Sequence, residues 1–365
     1  MPRRFQILAL SGGGYRGLHV ARILEIIERE TRGRIADHFD LLAGTSIGGI
    51  IALAIGLRIP AATIRQALEE AGPKLFPQTP PTFAALKAVA TAPGWVKKLS
   101  ELVARWSEIQ SDVQASRSAW YDPTPLQLLL SQPDYFGTRT LAELEHPVIV
   151  PAVNFSYGEP KFFKTDHHPT LTFDRRLAIL DVAMGTSAAP VYFPAHKIED
   201  SRIVDGGLVA NDPTQVAVHE AMMFFGLRPA LYGDGRPDAD DLRVLSIGTL
   251  SPRRFADVAD PLNRGLFDWG AGAFELAMSA QEAMCATMVD KHMLPGKVIR
   301  LPSLEGRPES APGLADASSV SSEILRESAD RLTQSAFGRD DFQELFKHSG
   351  QTLAQVRATF KKDSE

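Results

Sequence analysis

A chain of 365 residues, 44% of them hydrophobic, carries enough apolar mass to bury a large core in one α/β unit or two. A formal charge of −5 gives it no general drive toward DNA or RNA. Its single cysteine, Cys285, excludes an intrachain disulfide, so nothing in the fold requires an oxidising compartment.

Residues 5–10 form an apolar run that reads as a buried strand, ended by Gly12, Gly13 and Gly14. The run is shorter than the apolar region of a secretory signal, and no small-residue cleavage site follows it. Val20, Ile23, Leu24 and Ile27 recur at helical spacing, which predicts a helix over 18–30 with Gly33 as its stop. Residues 39–43 predict a second buried strand, and 47–57 a continuously apolar helix too short to cross a bilayer. Strand, helix, strand, helix at this spacing argues for a parallel sheet covered on both faces. The expected location is the cytoplasm, with any action on the inner membrane peripheral.

Residues 60–147 hold Pro73, Pro77, Pro80, Pro81 and Pro93 and exceed a simple crossover. They read as a helical insertion, jointed at its prolines, that caps or flanks the core. Within it Trp95, Leu99, Leu102, Val103 and Trp106 fall near one helix face, which suits an interfacial membrane helix or a packed flank. Residues 148–155, 203–204 and 242–247 predict further strands, and 233–241 a solvated loop. From Phe255 onward the chain reads as mainly helical, with a loop over 304–319 and helices over 321–337 and 340–360. Cys285 reads as a buried core residue on a helix. This divides the chain into a catalytic domain over 1–250 and a helical C-terminal extension over 251–365, packed on the same domain.

Chemistry concentrates in three places. Gly44-Thr45-Ser46-Ile47-Gly48 matches G-x-S-x-G. Such a strand turns sharply into a helix and holds the serine at the apex, while the small residues on either side prevent clashes. The helix N-terminus beneath it favours developing negative charge. Gly12-Gly13-Gly14-Tyr15-Arg16-Gly17 satisfies G-x-G-x-x-G, with Asp37 and Asp40 near the spacing of a ribose-binding acid. A nucleotide-dependent oxidoreductase therefore stays open. The same turn suits an oxyanion hole: consecutive glycines aim backbone N–H groups at one spot, and Arg16 adds positive charge for the oxyanion or a lipid phosphate. A serine elbow one strand later favours this second reading.

Asp205-Gly206-Gly207 ends a predicted strand. Its carboxylate is a candidate general base for Ser46, with Asn211 holding its loop, and an ordinary Asp-Gly turn is the alternative. Of nine histidines, none sits in a loop marked for catalysis; His219, His292 and His348 lie in stretches that read as helical.

Together, residues 11–17, 44–48 and 205–213 resemble the patatin-like phospholipases. Ser11 stands where that family usually has an aspartate, a departure that leaves the backbone N–H groups in place. Residues 187–194 and 245–249 resemble the family's stretch before its acid and its late core strand, so the resemblance spans about 5–250. It implies a three-layer α/β/α fold with a mainly parallel sheet, and acyl-ester hydrolysis at a phospholipid membrane surface. It implies a Ser46–Asp205 dyad, an oxyanion site of Gly12, Gly13, Gly14 and Arg16, and support from Gly44, Gly48, Gly206, Gly207 and Asn211. It implies no metal and no cofactor for catalysis.

Residues 5–18 look closer to the bacterial branch activated by cyclic dinucleotides in anti-phage signalling. That branch implies a cyclic dinucleotide activator and a homo-oligomer; arginines suit the two phosphates of such a ligand, and Arg175-Arg176 and Arg253-Arg254 are candidates, with an ordinary solvated surface as the alternative for each. A generic patatin-like esterase without nucleotide control and a non-catalytic binding module on the same fold are the alternatives.

Overall fold

The computed structural model describes residues 4–77, 110, 118–229, 240–252, 272–303 and 306–362. Its strands are β1 (Arg4–Leu10), β2 (Leu41–Gly44), β3 (Val148–Asn154), β4 (Glu159–Lys164), β5 (His196–Ile198), β6 (Ser201–Asp205), β7 (Asp241–Ile247) and β8 (Val298–Leu301). They form one sheet in the order β5-β6-β3-β2-β1-β7-β8, with β4 beside β3 off that path. Pairings among β3, β2, β1, β7 and β8 are parallel, whereas β4, β5 and β6 join antiparallel.

The parallel centre is apolar on both sides because both sides are covered. Along β1, Leu8 and Leu10 enter one core cluster while Phe5, Ile7 and Ala9 enter the other. The first cluster takes in α1 (Gly17–Thr31), α2 (Ile47–Gly56), α3 (Ala61–Leu75), α4 (Thr124–Leu130) and α5 (Ile179–Thr186). The short α6 (Gly207–Ala210) follows β6 directly. The second cluster takes in α7 (Thr214–Phe224) and the end of α8 (Gly272–Ala286), including the buried Cys285. This is the three-layer α/β/α arrangement with a mainly parallel sheet.

Four details depart from the sequence reading. Helix α1 ends on Arg32 in the left-handed conformation rather than on Gly33. The start of the 60–147 insertion is a single 15-residue helix, α3, that contains Pro73 and buries Ile64, Ala71 and Leu75. The C-terminal part is not purely helical, since β8 extends the parallel sheet beyond β7. The last predicted helix is two, α10 (Asp340–Leu345) and α11 (Leu353–Lys362), after α9 (Ser319–Phe337). The Trp95 to Trp106 stripe, Arg253-Arg254 and most of the 233–241 loop lie outside the described residues.

The segment between α10 and α11 fastens the base of the sheet. The buried Asp40 carboxylate accepts the Gln6 N–H at 2.8 Å, His348 Nε2 at 2.7 Å and the Gln351 N–H at 3.0 Å. Gln6 Nε2 in turn donates to the Leu345 carbonyl at 2.8 Å. Among the described residues, no helix is long and apolar enough to cross a membrane.

Candidate active site

Ser46 stands between β2 and α2 with φ 55° and ψ −125°, a conformation that costs a non-glycine residue on the order of 1–3 kcal/mol. The neighbouring glycines make the turn possible. A Cβ on Gly44 would lie 2.1 Å from the Gly48 carbonyl oxygen, and one on Gly48 would lie 2.3 Å from that of Leu10. The Ser46 N–H is held by Thr186 Oγ1 at 3.0 Å, and Thr45 Oγ1 donates to the Ala210 carbonyl at 2.6 Å.

Ser46 Oγ donates to Asp205 Oδ2 at 2.6 Å, while Asp205 Oδ1 accepts the Gly207 N–H at 2.6 Å. The acid is delivered by the end of β6, and its own N–H is tied to the Ala188 carbonyl at 3.0 Å. Asp205 is fully buried, and that burial pushes its carboxyl up to about 7 despite the two donors. The residues read from the sequence as nucleophile and base, 159 positions apart, are thus in direct contact.

The glycine-rich turn splits in two. Gly13 and Gly14 line the cavity beside Ser46, and their N–H groups have no hydrogen-bond partner among the described residues. Gly12 is turned away: its N–H donates to the Asn211 carbonyl at 3.0 Å, and its carbonyl accepts Thr249 Oγ1 at 2.7 Å. Two of the three expected donors are therefore free. Arg16 is buried but does not line the cavity; its charge faces Glu275, Glu282 and Tyr192. The Asn211 side chain makes no hydrogen bond to the Asp205 loop that the sequence reading had it hold. Its side-chain nitrogen donates to Glu282 at 2.6 Å and to the Gly12 carbonyl at 3.4 Å.

The Leu314 carbonyl accepts the Tyr15 N–H at 2.8 Å and would lie 2.3 Å from a Cβ on Gly14. A loop far along the chain thus occupies the approach that a dinucleotide pyrophosphate needs at this helix start. That counts against the oxidoreductase reading.

A narrow, almost wholly apolar cavity opens onto Ser46 and Asp205. Its walls include Ile50 on α2, Leu68 and Leu75 on α3, and Phe274 and Met278 on α8. Sequence reasoning did not find the α3 and α8 walls. Leu68 and Leu75 lie seven apart, two helical turns, and that spacing was the available signal.

No histidine lines the cavity. His167 is bonded to Glu220, His348 to Asp40, and His219 is exposed on α7. Among the described residues, no cluster of His, Cys, Asp and Glu has the arrangement of a metal site. Such a pocket can hold a long apolar group with a carbonyl over Ser46, and it can receive a proton at Asp205.

A family model described as patatin-like phospholipase matches residues 8–218. The "cGAMP-activated phospholipase" of Pseudomonas aeruginosa is 37% identical over 280 residues, which are 76% of this chain and 72% of that protein. The protein of the same name from Vibrio cholerae is 31% identical over 306 residues, 79% of this chain and 78% of its own length. That of Escherichia coli is 33% identical over 261 residues, 68% and 62% respectively.

Proposed function

The chain belongs to the patatin-like phospholipase family and is a hydrolase, and on that premise we propose that it cleaves phospholipid acyl esters with Ser46 as nucleophile and Asp205 as general base. The observation that carries this reading is the 2.6 Å bond from Ser46 to a buried, otherwise uncharged-walled Asp205 at the end of an apolar cavity. The acyl chain lies among Ile50, Leu68, Leu75 and Phe274, which puts the ester carbonyl over Ser46.

As Ser46 Oγ bonds to the carbonyl carbon, its proton passes to Asp205 Oδ2. The carbonyl oxygen becomes an oxyanion that the Gly13 and Gly14 N–H groups receive. Collapse breaks the ester C–O bond, and the leaving alkoxide of the lysolipid takes the proton back from Asp205. Water then attacks the acyl-Ser46 ester and gives a proton to Asp205; collapse breaks the acyl C–Oγ bond, Ser46 Oγ takes that proton back, and the fatty acid departs. Burial serves this chemistry, since a carboxyl raised to about 7 is a stronger base than one in water.

The test is fluorophosphonate labelling of the full chain, with the modified residue mapped by mass spectrometry, alongside fatty-acid release from phospholipid vesicles. Labelling at Ser46, lost with release in Ser46→Ala on a folded protein, is the expected outcome. Undiminished lipid hydrolysis by Ser46→Ala overturns the assignment.

The regulatory part of the proposal is activation by a cyclic purine dinucleotide, in keeping with an effector of anti-phage defence that acts on the inner membrane from the cytoplasm. Its support is the name carried by three relatives that match most of the chain. An activator must prefer the active state: moving a 1:99 equilibrium to 99:1 takes about 5.5 kcal/mol of differential binding. Fatty-acid release titrated with a panel of cyclic dinucleotides, with mass in solution measured alongside, tests both activation and oligomerisation. Full activity without ligand and no response to the panel removes the regulatory reading and leaves the hydrolase.

A further inference from the structure

Asn211 pins the glycine turn twice, through its backbone carbonyl to the Gly12 N–H and through its side chain to the Gly12 carbonyl. Its own side chain is fixed from elsewhere. Glu282, on α8 and fully buried, accepts Asn211 Nδ2 at 2.6 Å through Oε1. The other carboxylate oxygen accepts Arg307 at 2.5 Å, and Gln281 beside it accepts the Asp212 N–H at 2.9 Å. A carboxylate only accepts hydrogen bonds, so it dictates that the amide nitrogen of Asn211, not its oxygen, faces α8. Asn211 Oδ1 then points back toward Gly12 and Gly207, with no partner among the described residues.

The geometry points to Glu282 as a positioning residue for the oxyanion turn: through Asn211 and Gly12, it sets where the Gly13 and Gly14 N–H groups stand relative to Ser46. Glu282 and its clamp Arg307 both lie beyond residue 218, where the family match ends. The C-terminal third of the chain thereby becomes part of the catalytic apparatus rather than an appendage. The cost of burying Glu282 is visible, since burial raises its carboxyl above the usual range, and Arg307 and Asn211 oppose that rise. Oxyanion donors must stand within a few tenths of an ångström of the developing charge, so a loosened Gly12 lowers turnover without unseating the substrate.

This inference rests on the Ser46–Asp205 reading, and the experiment separates the two. Wild type, Glu282→Ala and Glu282→Gln are titrated at Ser46 with a fluorophosphonate, and turnover of a soluble short-chain ester is expressed per titrated site. Glu282→Ala is expected to lose at least about tenfold in kcat per site with KM changed less than about twofold. Glu282→Gln keeps an acceptor for Asn211 and is expected to recover most of that loss, while the acid limb of the pH profile stays in place. Unchanged kcat per site in Glu282→Ala, or an equal loss in Glu282→Gln, overturns the inference. If Glu282→Ala is recovered unfolded, Arg307→Leu, which leaves Glu282 present but unclamped, decides by the same measure: a lower kcat per site supports the role and an unchanged one overturns it. Failure of wild type itself to label at Ser46 strikes the catalytic reading instead.

Discussion

The hydroxyl of Thr186 accepts the N–H of Ser46 at 3.0 Å and donates its own proton to the Pro151 carbonyl at 2.6 Å. One side chain at the end of α5 thus ties the strained elbow to β3. Thr186→Val keeps the shape and removes both bonds, leaving two buried backbone groups unpaired. The expected loss is about 2 kcal/mol in stability, read by denaturant unfolding, with a fall in kcat. Thr186→Ser retains the hydroxyl and should restore both. Equal behaviour of the Val and Ser variants contradicts this role.

The rate should follow the ionisation of Asp205. With Asp205 as the proposed base, its carboxylate form alone can take the Ser46 proton, and burial pushes that carboxyl up to about 7. On a soluble ester, kcat/KM is expected to rise with unit slope up to about pH 7 and level off above it. A profile that stays flat from about pH 5 to pH 8 excludes Asp205 as the base.

The same raised carboxyl makes a stability prediction of definite sign. A group that binds its proton more tightly in the folded chain stabilises the fold at low pH, and that contribution is lost as pH climbs from about 4 to about 7. Asp205→Asn cannot ionise. Compared with its effect near pH 4, the substitution should raise Tm at pH 8 by at least about 3 °C, measured by differential scanning calorimetry. A Tm difference independent of pH rejects the raised titration.

Acyl length should be set by the α3 wall. Leu68 lines the cavity and is only partly buried, so the fold can accept a larger side chain there. Leu68→Trp narrows the space for a chain without touching Ser46. It is expected to lower kcat/KM for long-chain esters about tenfold or more while a four-carbon ester keeps nearly full activity. Parallel losses on both esters point to general misfolding instead.

What the sequence made legible was local chemistry. A strand buried on both faces is a continuous apolar run, so β1, β2 and β7 declare themselves, and an elbow announces its glycines because backbone crowding demands them. β4 carries no such signal: Glu159 to Lys164 is half-exposed and polar. β8 is four residues with Arg300 inside it, too short and too charged for periodicity to register. Spacing also cannot say which glycine amide of the 12–14 turn faces outward, since Asn211 decides that from 199 positions away. Glu282 was invisible for the same reason, because a buried carboxylate gains its role only from partners that tertiary folding brings to it.

A ribosome joins Ser46 into the chain long before it makes His348 and Gln351. Until those residues arrive, the Asp40 carboxylate at the foot of β2 keeps only the Gln6 amide of its three donors, and Gln6 lacks the Leu345 carbonyl. Each absent bond to a buried charge costs about 1–3 kcal/mol. The nascent polypeptide therefore carries Ser46 through most of translation with this anchor of the core unfinished. Among the described residues, the cavity beside Ser46 takes walls from as far along the chain as Phe274, Met278 and Leu314, so its lining is complete only once those residues have been joined.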